Sequence, residues 1–120
     1  AKAPLKRPRF NASQSMDQVR AFLKDNFDRP VQSDELEQVA DMDRFRLIRH
    51  FRARFGTTPY RYLMMRRLQK ARAMMALGQP LAGIAAETGF ADQSHFNRHF
   101  RQTYGVSPGR WAELLTSKTH

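Results

Sequence analysis

Gly89-Phe90-Ala91-Asp92-Gln93-Ser94-His95-Phe96-Asn97-Arg98-His99-Phe100, continued by Tyr104-Gly105-Val106-Ser107-Pro108, is the stretch whose reading decides the fold. A glycine turn leads into a short helix in which Phe96, Phe100 and Tyr104 recur every fourth residue. Side chains at that spacing lie on one face of a helix, and their apolar character buries it. The opposite face carries Ser94, Asn97, Arg98 and Arg101, with Gln93 at the tip. Amide, hydroxyl and guanidinium groups are the donors and acceptors that meet base edges and phosphates. A helix anchored on one side and armed this way on the other suits the reading of DNA.

Composition supports a polyanionic partner. The chain has 120 residues, with 21 Lys and Arg against 11 Asp and Glu, for a formal charge of +10. That length suits one domain, or two very small units sharing an element, with a modest core and no large enclosed active site. Distribution says more than the total: residues 44 to 72 hold ten basic residues and no acid. Beyond Asp43 the acids are Glu87, Asp92 and Glu113. Nucleic acid is the commonest partner of such a surface, and a solubilising shell is the plainer alternative. Without cysteine there is neither disulfide nor thiolate metal site, which fits a reducing compartment. No apolar run long enough for a membrane span and no signal-peptide core occur, so a cytoplasmic location is expected.

Residues 1 to 14 carry Lys2, Lys6, Arg7, Arg9 and two prolines without an acid, and read as a flexible basic arm or linker. An arm of this kind also suits contact with DNA phosphates or a minor groove. Ser15 is expected to cap a first helix that buries Met16, Val19, Phe22, Leu23 and Phe27, with Pro30 as its stop. Ser33-Asp34-Glu35 opens a short second helix through Ala40, burying Leu36, Val39 and Ala40. Asp43 is placed to cap a third over residues 44 to 55, which Gly56 ends. Pro59 begins a long helix to Leu77, with Leu63, Met64, Leu68, Ala71 and Met75 inward. The Met pairs 64–65 and 74–75 read as core filler. After Gly78-Gln79-Pro80 comes a short helix from Leu81 to Thr88, then the opening stretch. A last helix starts at Pro108, with Trp111 and Leu115 inward. No segment reads as a strand. The expectation is an all-α chain of about seven helices.

The two halves of the chain match. His50-Phe51-Arg52, Phe55-Gly56 and Pro59 align with His99-Phe100-Arg101, Tyr104-Gly105 and Pro108 at an offset of 49. Leu47 falls on Phe96 and Arg49 on Arg98. Upstream, after a one-residue gap, Leu36 falls on Ile84, Met42 on Phe90 and Asp41 on Gly89. Two tandem helix-turn-helix units follow, over residues 15–58 and 79–118, joined by a linker helix over 59–78. The recognition helices are expected at about 44–55 and 92–103.

With Ile84-Ala85, Gly89-Phe90, Gln93-Ser94-His95-Phe96, Arg98, Phe100, Gly105 and Ser107-Pro108, the chain resembles the DNA-binding domain of the AraC/XylS family of bacterial transcription regulators. The resemblance covers residues 16 to 115. It implies two recognition helices in successive major grooves on one side of double-stranded DNA. Geometry agrees independently: such grooves lie about 34 Å apart, and a linker helix of about 19 residues spans about 28 Å. The resemblance also implies transcription activation as the commoner mode, with RNA polymerase as partner, and an effector or dimerisation domain outside this chain.

Helical geometry separates the readers from the core. In the first recognition helix Phe45, Ile48, Arg49 and Arg52 face away from the Leu47, Phe51, Phe55 stripe. Phe45 and Ile48 suit contact with thymine methyls, although Phe45 also fits under the neighbouring turn as core. Arg49 suits a guanine edge, with a phosphate or surface ion pair as its alternative. In the second helix the candidates are Gln93, Ser94, Asn97 and Arg98. By the resemblance, the family's base-reading positions fall on Phe45, Ile48 and Arg49 in the first unit and on Gln93, Ser94, Asn97 and Arg98 in the second. Arg46, Arg52, Arg61, Arg101 and Arg110 are assigned to phosphates. Asp41 departs from the pattern, standing where the second unit has Gly89. Aspartate tolerates a left-handed turn, and its charge would weaken the first unit's grip on DNA.

Other function classes find less support. His95 and His99 have the spacing of a metal pair, but no carboxylate or cysteine completes a site. There is no Gly-rich phosphate loop and no nucleophile motif, so neither an enzyme nor a cofactor is expected. A protein-interaction module, or a basic module binding polyanions or membrane surfaces without sequence preference, is the alternative to a sequence reader.

Overall fold

Asn11 opens the helical part of the chain in the computed structural model, which describes residues 11–117. Its side chain accepts the Gln14 N–H at 3.0 Å and so caps α1, Ala12–Asp25. The expected cap, Ser15, lies inside this helix instead, donating its N–H to the Asn11 carbonyl. Asparagine and serine cap equally well, and the earlier cap adds about one turn. Residues 1–10 of the expected arm lie outside the described residues. The helix also ends before Pro30, because Asn26 turns the chain by donating its side-chain amide to the Phe22 carbonyl at 2.8 Å. Met16, Val19 and Leu23 are buried, while Phe27 packs from the loop that follows.

The remaining elements are α2 (Ser33–Ala40), α3 (Arg44–Phe55), α4 (Pro59–Ala76), α5 (Leu81–Glu87), α6 (Gln93–Tyr104) and α7 (Pro108–Ser117). No strand occurs among the described residues. The first unit packs α1 on α2 and α3, and the second packs α6 on α5 and α7. α4 belongs to both, lying against α1 and α3 and also against α5, α6 and α7. Leu63, Met64, Leu68, Ala71 and Met75 are buried as expected, and so is Met74. Met65 is exposed and is therefore no core filler. Arg67, in the middle of α4, is buried too, which charge patterning did not reveal.

The internal repeat extends to the helix caps. Asp43 accepts the Arg46 N–H at 3.0 Å, and Asp92 accepts the His95 N–H at 2.8 Å. At the other end, Gly56 and Gly105 take φ of 76° and 85° and donate to the carbonyls of Arg52 and Arg101. Thr58 and Ser107 then cap α4 and α7, each accepting an N–H at 3.1 Å, from Arg61 and Arg110. Behind α3 and α6 lies the same aromatic arrangement. Phe51 meets Phe55 and Tyr62 at 4.7 and 6.1 Å, and Phe100 meets Tyr104 and Trp111 at 4.7 and 5.6 Å.

The units differ at their inner turns. Asp41, at φ 55°, caps the end of α2 in the left-handed region. Gly89, at φ 89°, is held by space as well as by angle: a Cβ there would lie 2.3 Å from the Phe27 carbonyl oxygen. That oxygen belongs to backbone, which cannot swing aside. Glycine is thus required where the first unit's loop touches the second unit, and aspartate suffices where nothing presses on the turn.

His95 and His99, four residues apart on α6, pack as an aromatic pair. Their rings stand edge to face at 4.6 Å, both against Phe90. The Tyr60 hydroxyl lies 3.4 Å from His99 Nε2, linking α4 to α6. Burial holds both imidazoles below their ordinary value, reinforced at His95 by Arg98 and at His99 by its neighbour His95. Asp92 opposes this at His95.

Two expectations follow from this packing. Asp41→Gly should change unfolding free energy by less than about 1 kcal/mol, whereas Gly89→Asp should cost more than about 2 kcal/mol. Urea titrations of both variants test this, and equal effects would remove the steric role of the Phe27 carbonyl. The histidines give a pH dependence. Because the folded state disfavours their protonation, the unfolded chain takes up protons first as pH falls. Their stabilisation is complete above the unfolded value near 6.5 and is lost as pH falls from there through the lowered folded values. The melting temperature should therefore drop between about pH 7.5 and 5.5, and drop less when both are glutamine. Matching slopes for parent and double variant would refute the assignment.

Candidate nucleic-acid interface

α3 and α6 are each held by a cap, a buried stripe and a terminal glycine, so the orientation of the free face is fixed by the fold. In α3, Leu47 and Phe51 are fully covered; in α6, Phe96 and Phe100 are. Matching residues of the two helices occupy the same helical positions. Phe45, Ile48, Arg49 and Arg52 correspond to Ser94, Asn97, Arg98 and Arg101, and all eight are exposed.

Phe45 is 74% exposed, so it does not tuck beneath the neighbouring turn. Ile48 is 39% exposed and borders a groove also lined by Leu36, Leu47, Tyr60 and Leu63. Two adjacent apolar side chains on a charged, solvated helix cost hydration free energy, which contact with a partner recovers. The second unit presents polar groups at the matching places. Among the described residues, the side chains of Gln93, Ser94, Asn97 and Arg98 make no hydrogen bond or ion pair within the chain. Gln93 has Arg44 as its counterpart, but Arg44 donates both its N–H and its Nε to Glu37, at 2.8 and 3.4 Å. The two faces therefore share a frame and differ in chemistry.

The arginines fall into two groups. Arg29, Arg44, Arg54 and Arg110 have carboxylate partners, namely Glu35, Glu37, Asp17 and Glu113. Arg49, Arg52, Arg61, Arg98 and Arg101 have none among the described residues, and all are exposed. Like charges left unneutralised on a surface create the positive potential that attracts phosphates. Arg110 pairs with Glu113 at 3.1 Å, but both side chains are well exposed. An exposed pair of this kind is worth well under about 1 kcal/mol, so it releases its arginine easily. Asp43 stays ionised at the tip of α3, since the Arg46 N–H holds its carboxyl below the usual range. Arg46 is exposed beside it.

Tyr60 is a residue that sequence reasoning passed over. It sits in the first turn of α4, touches His99 of α6 and borders the groove beside Ile48 of α3, so it lies between α3 and α6. Only its neighbour Arg61 carried a signal in the sequence. Among the described residues no cluster of His, Cys, Asp and Glu is arranged to hold a metal, and no helix is long and apolar enough to cross a membrane.

Comparison with known proteins places this arrangement. A family model described as a helix-turn-helix domain matches residues 36–113. The probable transcriptional regulator LumQ of Photobacterium leiognathi is 32% identical over 91 residues, which are 75% of this chain and 37% of LumQ. The transcriptional activator RhaS of Escherichia coli O139:H28 is 31% identical over 99 residues, 82% of this chain and 36% of RhaS. The chain thus spans little more than a third of the length of these curated relatives. Among solved structures, the DNA-binding domain of AdpA in complex with a target DNA superposes with a TM-score of 0.81 at 22% identity, covering 87% of this chain and 95% of that one. That likeness supports the fold, and the family match gives the kinship. The chain belongs to the AraC/XylS family of helix-turn-helix DNA-binding domains.

Proposed function

We propose that this domain binds double-stranded DNA sequence-specifically, setting α3 and α6 into successive major grooves to regulate transcription. One observation carries the reading: two helices with identical fittings turn matching, exposed and internally unpartnered faces outward, and those faces differ in chemistry. Phe45, Ile48 and Arg49 read one half-element, with apolar contact to thymine methyls and a guanidinium fork to guanine. Gln93, Ser94, Asn97 and Arg98 read a different one. Arg46, Arg52, Arg61, Arg101 and Arg110 bind phosphates and hold the register. α4, with 18 residues, spans about 27 Å and suits the separation of neighbouring grooves. One chain then reads an asymmetric site without a two-fold partner. Activation, with RNA polymerase as the partner, is the mode favoured by the likeness to RhaS, named as a transcriptional activator. The expected setting is the cytoplasm.

Selection of bound duplexes from a random pool, at about 0.15 M salt, tests the proposal. Enrichment of a two-part asymmetric site supports it. Equal recovery of all sequences would leave only a polyanion-binding module. With the site in hand, Arg98→Ala should weaken binding by about 1–3 kcal/mol and relax preference at one base pair. A uniform loss across sequences would make Arg98 a phosphate contact. Arg52→Ala or Arg101→Ala should each lower the slope of log affinity against log salt by about one unit. An unchanged slope would remove them from the phosphate set.

A further inference from the structure

Arg67 lies at the middle of α4 with 5% of its surface exposed, and no carboxylate of the described residues pairs with it. Its Nε donates to the Phe27 carbonyl at 2.7 Å and its Nη2 to the Arg29 carbonyl at 2.9 Å. Both acceptors belong to the loop between α1 and α2, in the first unit. The same guanidinium lies 5.9 Å from the ring centroid of Phe90, and its Nε would be 2.8 Å from a Cβ on Gly89. Both of those residues belong to the second unit. One side chain therefore fills the seam where the two units meet away from the shared helix backbone.

The loop it grips is itself tied down. The Arg29 guanidinium reaches Glu35 of α2 at 2.8 Å, and Glu35 accepts the Gln32 N–H that opens that helix. On the far side Phe90 packs on Phe96 of α6 at 5.2 Å. Contacts thus run from the start of α2 through Arg29, Arg67 and Phe90 to the second recognition helix. A planar fork with several fixed donors suits two carbonyls presented by one loop. Lysine offers a single ammonium at the end of a flexible stem.

We infer that Arg67, with the Gly89 turn seated against Phe27, is the positioning residue that fixes the angle between the two recognition helices and so sets which spacing of half-elements the domain accepts. This rests on the two-groove reading above for its consequence on DNA, though not for the seam itself. Each base pair inserted between half-elements rotates the second by about 34° and moves it by about 3.4 Å. A domain locked at one angle discriminates against such an insertion; a jointed one follows it.

The absence of cysteine makes a direct test simple. Gln38→Cys and Ala86→Cys put one spin label on each unit, at exposed and corresponding positions. Without DNA, the inter-label distances should form one narrow distribution in the parent. In Arg67→Met, and less so in Arg67→Lys, that distribution should broaden or shift while helicity is kept. If either variant loses helicity, the other, still folded, decides. An unchanged distribution in a folded variant overturns the inference and leaves the DNA reading standing. On DNA, one inserted base pair should cost the parent at least about tenfold in affinity, and Arg67→Met clearly less. Equal penalties would also overturn it. Failure of the parent to select any sequence would sink the DNA reading alone, since the distance measurement needs no duplex.

Discussion

A helix that belongs to two cores at once governs this molecule. α4 must bury side chains toward α1 and α3 and also toward α5, α6 and α7. Its covered residues Pro59, Leu63, Met64, Arg67, Leu68, Ala71, Met74 and Met75 wind over an arc of about 180°, wider than the stripe of an ordinary surface helix. Straight, flexible methionines suit a place where two irregular surfaces meet. Every other helix is simpler: it buries one side in one unit and leaves the rest to solvent or to a partner.

That arrangement explains what the residues disclosed and what they withheld. Caps, glycine stops and aromatic stripes are local, so α2 to α7 could be read within a residue or so of their ends. The repeat was visible through Phe51 and Phe100, Gly56 and Gly105, Pro59 and Pro108. The same offset of 49 also pairs Asp43 with Asp92, Thr58 with Ser107 and Tyr62 with Trp111, whose shared roles become visible only in the caps and the packing. α1 begins earlier than its sequence suggests because Asn11 and Ser15 are equivalent as caps, and Asn11 takes the role. Arg67 was hidden for a different reason. It stands among ten basic residues, and its acceptors are backbone carbonyls, which leave no trace in composition.

The candidate interface was legible for the same reason as the helices. Once the buried stripe is known, the outward positions follow from helical geometry. Geometry alone left Phe45 between core and surface, and its exposure decides for surface. Charge counting marked every arginine alike. The fold divides them into those already holding carboxylates, as Arg54 holds Asp17 at 2.8 Å, and those, such as Arg49 and Arg98, with no such partner. A sum of charges has no access to that division, because it depends on which acid lies within reach in three dimensions.

The matched fittings of α3 and α6 also bear on how such a domain changes over generations. Each helix has 12 residues between an aspartate cap and a left-handed glycine, and its buried stripe lies on its inner side. The outward residues Phe45, Arg49, Ser94, Asn97 and Arg98 are exposed, so changes there disturb the buried core least. Two copies of one framework can then diverge on their outer faces while keeping the same caps, glycine stops and aromatic stripes. Phe45 opposite Ser94, and Ile48 opposite Asn97, have the look of that divergence: a duplicated part whose scaffold was retained and whose vocabulary was rewritten.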